Sequence, residues 1–317
     1  MDLRPLLPLL LLASAAALAQ DADERVLRAG DTALRVEVVE VPDRARAELL
    51  QRWIAETTAA PLSVFGRFPL RDAQVRIKQI DSDDRSPVPW GQTLRSDGVA
   101  VLLFVRRDAS LQQLRDDWTA VHELSHLFHP YLGDRGRWLA EGLASYYQNV
   151  LRARIGVLDG DEAWRRLEGG FQRGRKALSG VPLDELGRRR GGTMRVYWAG
   201  AAFWLEADLA LRKQPGRSLD TVLAAYSACC LGDGTALVEP EAFMAELDRI
   251  AGGDIFASRY RRYAAAKEFP LLDAAYRELG IGAADGRLVF SRGDAGSRLR
   301  EAVMTGRGRG ADVSAAR

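Results

Sequence analysis

All three histidines of this 317-residue chain lie in one run of eight, His122-Glu-Leu-Ser-His126-Leu-Phe-His129. Positions i and i+4 of a helix stand one above the other on the same face, so the first five residues, H-E-x-x-H, turn two imidazoles toward one point with Glu123 beside them. That spacing suits a metal ion held by His122 and His126. A chance match in a chain of this composition is expected on the order of 10⁻³ times, which makes coincidence a weak rival. A helix whose histidines only satisfy core hydrogen bonds is the stronger one, and the surrounding sequence decides between them.

Ser110, with Gln113 three residues on, has the form of a capping box and predicts one helix from there to Pro130. Along it Leu114, Trp118, Val121, Ser125 and Phe128 form a mostly apolar stripe, and the three histidines sit immediately beside that stripe. The site is therefore expected at the edge of a buried face, opening on a cleft. Before this helix, Leu34 to Val39 and Ala73 to Ile80 alternate as strands do, Arg44 to Thr57 has helical spacing, and the unbroken apolar run within Gly98 to Val105 predicts a strand covered on both faces. After it the pattern is mainly helical: Trp138 to Arg154, Glu162 to Leu178, Met194 to Lys213, Leu219 to Cys229, Glu241 to Ile250, and Ala257 to Leu279 broken at Pro270. The expected fold class is α+β, with a small mixed α/β lobe over residues 20–135 that carries the histidine helix, a helical lobe over 136–290, and the cleft between them.

The ends read differently. Arg4, the apolar run Leu6 to Leu18 and the small-residue site Ala17-Leu18-Ala19 have the form of a cleavable signal peptide over residues 1–19, which predicts a periplasmic or extracellular protein with no membrane span in the mature chain. Residues 291–317, ending in a Gly-Arg-rich stretch from Thr305, are expected to be a largely disordered tail. The net charge of +2 gives no reason to expect a nucleic-acid partner. Cys229 and Cys230 are sequence neighbours, a spacing that seldom allows an unstrained bridge, so they read as buried small hydrophobes.

A catalytic zinc takes three protein ligands and keeps one position open, so two histidines need a third partner. His129 shares their side of the helix, but three ligands on adjacent turns of one helix fan out along its axis and do not converge easily. A role in supporting the ligands suits it better. The acidic candidates are Asp134 and Glu141. Glu141 is preferred because it stands near the start of a returning helix, in Trp138-Leu-Ala-Glu141-Gly-Leu-Ala-Ser-Tyr-Tyr, where the small residues Gly142 and Ala144 allow close helix approach.

Together, His122-Glu-x-x-His126 and Trp138-Leu-x-Glu141-Gly-x-Ala-x-Tyr-Tyr resemble the gluzincin zinc metallopeptidases, in particular the group related to the alanyl and glycyl aminopeptidases, over roughly residues 98–210. The resemblance implies a zincin-like fold, one catalytic Zn2+ on His122, His126 and Glu141, Glu123 as general base, and a peptide or protein substrate. It also implies that Tyr197, in Tyr197-Trp-Ala-Gly200, stabilises the oxyanion, with a core aromatic on its helix as the alternative reading. The amine-binding G-x-M-E-N stretch of the aminopeptidases is missing, so exopeptidase action is not implied, and the spacer between His126 and Glu141 is shorter than in the alanyl aminopeptidases, so close membership of that group is not implied either. Two alternatives keep the metal: a zinc-bearing binding protein that has lost catalysis, and a zinc hydrolase of non-peptide amides.

Overall fold

A computed structural model describes residues 23–189, 191–306 and 314–316; the leader expected over 1–19 lies outside them. The chain begins with β1 (Asp23–Ala29) and β2 (Thr32–Val39), followed by α1 (Arg44–Thr57), α2 (Ala59–Phe65), β3 (Asp72–Ile80), β4 (Trp90–Leu94) and β5 (Ala100–Arg106). α3 (Leu111–Asp116) and α4 (Thr119–Ser125) come next, then α5 (Arg137–Arg154), α6 (Gly160–Arg175), α7 (Thr193–Arg212), α8 (Leu219–Cys229), α9 (Pro240–Ala251), α10 (Phe256–Ala264) and α11 (Asp273–Glu278). A hairpin of β6 (Ile281–Ala284) and β7 (Arg287–Phe290), α12 (Ala295–Thr305) and β8 (Ser314–Ala316) complete it. The class is α+β, with most strands early and most helices late.

The main sheet has the order β4-β5-β3-β2-β1-β8, in which β2, β3 and β5 run parallel and β4 is an antiparallel edge. β5 is an interior strand, and the free edge near the histidines is β4. The burial of β5 differs from the expectation of two covered faces. Val101, Leu103 and Val105 are buried while Ala100, Leu102 and Phe104 are only half-buried, so the apolar run has one covered face and one partly open face on which Trp90 stacks over Phe104 at 5.5 Å.

The long helix predicted from Ser110 to Pro130 is broken. Its capping box forms as expected, with Gln113 N donating to Ser110 Oγ, but α3 ends at Asp116. Asp117 then accepts from Thr119 N at 2.7 Å and from Ser86 Oγ at 3.0 Å, starting a second helix from a short side chain that competes with the helical backbone. The break carries Trp118 out of the stripe: it is 42% exposed, whereas Leu114, Val121, Ser125 and Phe128 are buried. A 3₁₀ turn over His126–Phe128 ends the element, and His129 is extended before Pro130, the conformation that proline favours in the residue before it.

α5 and α7 are in backbone contact. A Cβ on Gly142 would stand 2.3 Å from the Gly200 carbonyl carbon, and one on Gly200 would stand 2.0 Å from Trp138 O, so both positions need glycine. Trp204 Nε1 donates to Leu139 O at 2.8 Å and fixes the register of the pair. This packing sets Tyr197, one turn before Gly200, against Glu141, the neighbour of Gly142.

Two further expectations change. The segment after residue 290 is not simply a tail: α12 buries Val303 and Met304, Arg154 Nη2 donates to Val303 O at 2.9 Å, and β8 pairs antiparallel with β1. The apolar positions of α12 outweigh a composition dominated by Gly and Arg. Cys229 and Cys230 are exposed and bonded to each other rather than buried as thiols; α8 ends between them, and Cys230 leaves the helical conformation at φ −137°.

Candidate metal centre

His122 and Glu123 stand on α4, His126 on the turn after it, and Glu141 on the first turns of α5. Glu141 Oε2 lies 3.4 Å from His122 Nε2 and 3.6 Å from His126 Nε2. Ligands at ~2.0–2.2 Å around a tetrahedral zinc stand roughly 3.3–3.6 Å apart, so these separations suit one shared ion. Glu141 Oε2 is also a buried acceptor with no hydrogen-bond partner, and a buried carboxylate oxygen in that state calls for a cation. These three side chains form one of two groups of potential ligand atoms within 4.8 Å of one another among the described residues; the other, Cys229, Cys230 and Glu246, has both sulfurs tied in the disulfide.

The far side of each imidazole is engaged. His122 Nδ1 donates to Gln148 Oε1 at 2.8 Å, which leaves Nε2 with its lone pair toward Glu141. His129 Nδ1 donates to the Pro130 carbonyl at 2.6 Å, so His129 Nε2 accepts from His126 Nδ1 at 3.0 Å, and His126 Nε2 is likewise left with a lone pair. Burial, with Arg95 and His126 nearby, holds His129 well below the usual imidazole range and hence neutral. The third histidine thus stands behind the second. Arg95 supports the same turn by donating to the carbonyls of His126 and His129, closing the end of the helix.

Burial by itself would raise the Glu141 carboxyl, but the two imidazoles of His122 and His126 beside it outweigh burial and hold Glu141 well below the usual range. Glu123 accepts from Thr93 Oγ1 at 3.0 Å, and a Cβ on Gly91 would meet Glu123 Cγ at 2.6 Å. The edge strand β4 therefore seats Glu123 through one glycine and one hydroxyl two residues apart. The Tyr197 ring stacks on His122 with centroids 5.8 Å apart and an interplanar angle of 7°. Burial, the charge of Glu141 and a hydrogen bond to it push the phenol up, so it stays protonated as a donor. Tyr197 is half-buried at the site, unlike a residue of the closed core.

Glu123, His126, Glu141 and Tyr197, with Gly91, Thr93 and Arg95, line a cavity of about 660 Å³ between β4 and helices α4, α5 and α7. Asp134, the other acidic candidate, lines the cavity without joining the three converging side chains. The sequence reading missed Gly91, Thr93, Arg95 and Gln148. Gln148 lies seven residues after Glu141, on the same face of α5, and a glycine inside a strand marks close approach, so two of the four had a signal.

No family model and no curated protein matches the sequence. Solved structures match by shape. An aminopeptidase N family protein from Idiomarina loihiensis aligns with TM-score 0.60 and 14% identity over 82% of this chain and 49% of its own. Aminopeptidase A from Legionella pneumophila, in complex with aspartic acid, aligns with TM-score 0.50 and 14% identity over 77% and 28%. A two-domain M1 zinc metallopeptidase bound to L-arginine aligns at 0.48 and 16% identity over 78% and 52%. The chain spans about half the length of the first of these, and at this identity the likeness is one of fold.

Proposed function

We propose that this chain is an exported zinc metallopeptidase of the gluzincin kind, with His122, His126 and Glu141 as ligands, Glu123 as general base and Tyr197 as oxyanion donor. The observation that carries the reading is the convergence of two correctly oriented imidazole nitrogens on one partnerless buried carboxylate oxygen. Zinc held there supplies a Lewis acid that lowers the pKa of water toward neutrality and polarises a carbonyl. Glu123 takes the proton from the attacking water and passes it to the leaving amine, held in place by Thr93 and by the space that Gly91 leaves. The Tyr197 hydroxyl donates to the oxyanion from its place beside His122.

An extended substrate adds to the free edge of β4, which lines the cavity along its whole length. No carboxylate stands on β4, so this strand offers no negative charge to a substrate's free amine. The cavity lies between the mixed first part of the chain, residues 20–135, and the helical second part, 136–290, which we take as the two lobes. Export rests on the leader-like first nineteen residues, and no helix among the described residues is long and apolar enough to cross a membrane.

Cleavage profiling on a diverse peptide library tests the assignment. The zinc-loaded wild type is expected to cut peptide bonds, and Glu123→Gln, with the same zinc content, is expected to lose turnover by at least ~10²-fold. Equal activity of the two, or no cleavage by a wild type carrying one zinc, overturns it.

A further inference from the structure

A second cavity, about 520 Å³, opens on the other side of Tyr197, which lines both. One wall is the face of α5 made by Ser145, Asn149 and Arg152, spaced by four and three residues. All three are at least 98% buried. Ser145 Oγ, Asn149 Nδ2 and Arg152 Nε have no hydrogen-bond partner among the described residues. Three unsatisfied buried polar atoms on one wall of one cavity are out of keeping with how folded chains pair such groups, and the pattern points to a ligand.

The facing wall is cationic. α6 contributes Arg165, Arg166 and Arg173, and its one acid here, Glu162, is taken by Arg166 at 2.8 Å with Arg165 at 3.8 Å. The Arg173 guanidinium lies over the Trp198 ring at 5.0 Å, which orients its donor edge, and it makes no ion pair among the described residues. Arg152 is lowered by burial and by Arg166 to about 10 and stays charged at neutral pH. Donors therefore outnumber acceptors, and the guanidinium fork matches a carboxylate in two parallel bonds.

The cavity adjoins the metal centre. Trp118, on its rim, packs edge-on against His122 at 5.4 Å, and Gln148, in its wall, accepts from His122 Nδ1. We propose that this cavity is a carboxylate subsite, in which Arg173, Arg165, Arg152 and Asn149 hold an acidic side chain or the C-terminal carboxylate of a peptide whose scissile bond lies at the metal centre. The proposal rests on the peptidase reading and narrows it to peptides that carry a carboxylate close to the cleaved bond.

Calorimetric titration of zinc-loaded Glu123→Gln protein with matched peptides tests it. The set pairs a C-terminal carboxylate with its amide, and Glu with Gln at each position flanking the bond. One carboxylate member is expected to bind at least ~10-fold more tightly than its neutral partner, and the member that does so tells terminus from side chain. Arg173→Gln, an exposed position, should cut that ratio to about 2–3 in the same background, with Arg165→Gln as a second, independent variant. Inorganic phosphate should compete with the acidic peptide. Equal affinity across every pair, an unchanged ratio in both variants, or phosphate binding that leaves peptide affinity intact overturns the subsite, the last marking an effector site instead. Turnover of the neutral peptides by wild type reads the peptidase assignment separately.

Discussion

His129 shows how one residue sets the chemistry of another. Because its Nδ1 is spent on the Pro130 carbonyl, its Nε2 fixes the tautomer of His126 and aims the free lone pair at Glu141. His129→Ala should therefore lower zinc affinity by roughly 10–100-fold, measured by competition with a chelating dye. An unchanged affinity would mean that the 3₁₀ turn alone holds the ring. Glu141→Gln should weaken zinc more than this, since it removes the charge of the proposed third ligand. Tyr197→Phe has a different signature: kcat should fall by ~10²-fold with little change in KM, as for loss of one oxyanion donor. A variant that turns over normally would place Tyr197 outside the reaction.

At the scale of elements, the α5–α7 contact carries most of the positioning, because it joins Glu141 and Tyr197 through Gly142 and Gly200. Gly200→Ala should destabilise the fold by ~1–3 kcal/mol in chemical denaturation, as overpacking does, and should lower kcat by displacing Tyr197. A variant with wild-type stability would show that the helices have room to part. The spacing of apolar residues was enough to place α1, α5 and α7 within a residue at each end, since each has a long periodic face. The break between α3 and α4 was not legible, because Asp117 owes its position partly to Ser86, 31 residues earlier. β5 misled for a related reason: an apolar run reports what a strand can bury, while its neighbours decide what covers it. Glu141, His122 and His126 stood out through motif spacing, whereas Thr93 and Arg95 come to the site only through the tertiary path of the edge strand and its exit.

For the whole molecule, a metal that joins α4 to α5 ties the helix packed on the sheet to the helix at the centre of the second part of the chain. A ligand present at about 100 times its Kd adds ~2.7 kcal/mol to the folded state, so chelation should lower the melting temperature by roughly 5–10 °C, and readdition of zinc should restore it. A melting curve indifferent to chelator would argue against a bound ion at this junction. Anomalous diffraction at the zinc edge, from crystals of metal-loaded protein, tests the central claim most directly. The account predicts a single strong peak ~2.0–2.2 Å from His122 Nε2, His126 Nε2 and a Glu141 carboxylate oxygen. No peak at that point, or a peak held by other residues, would contradict it.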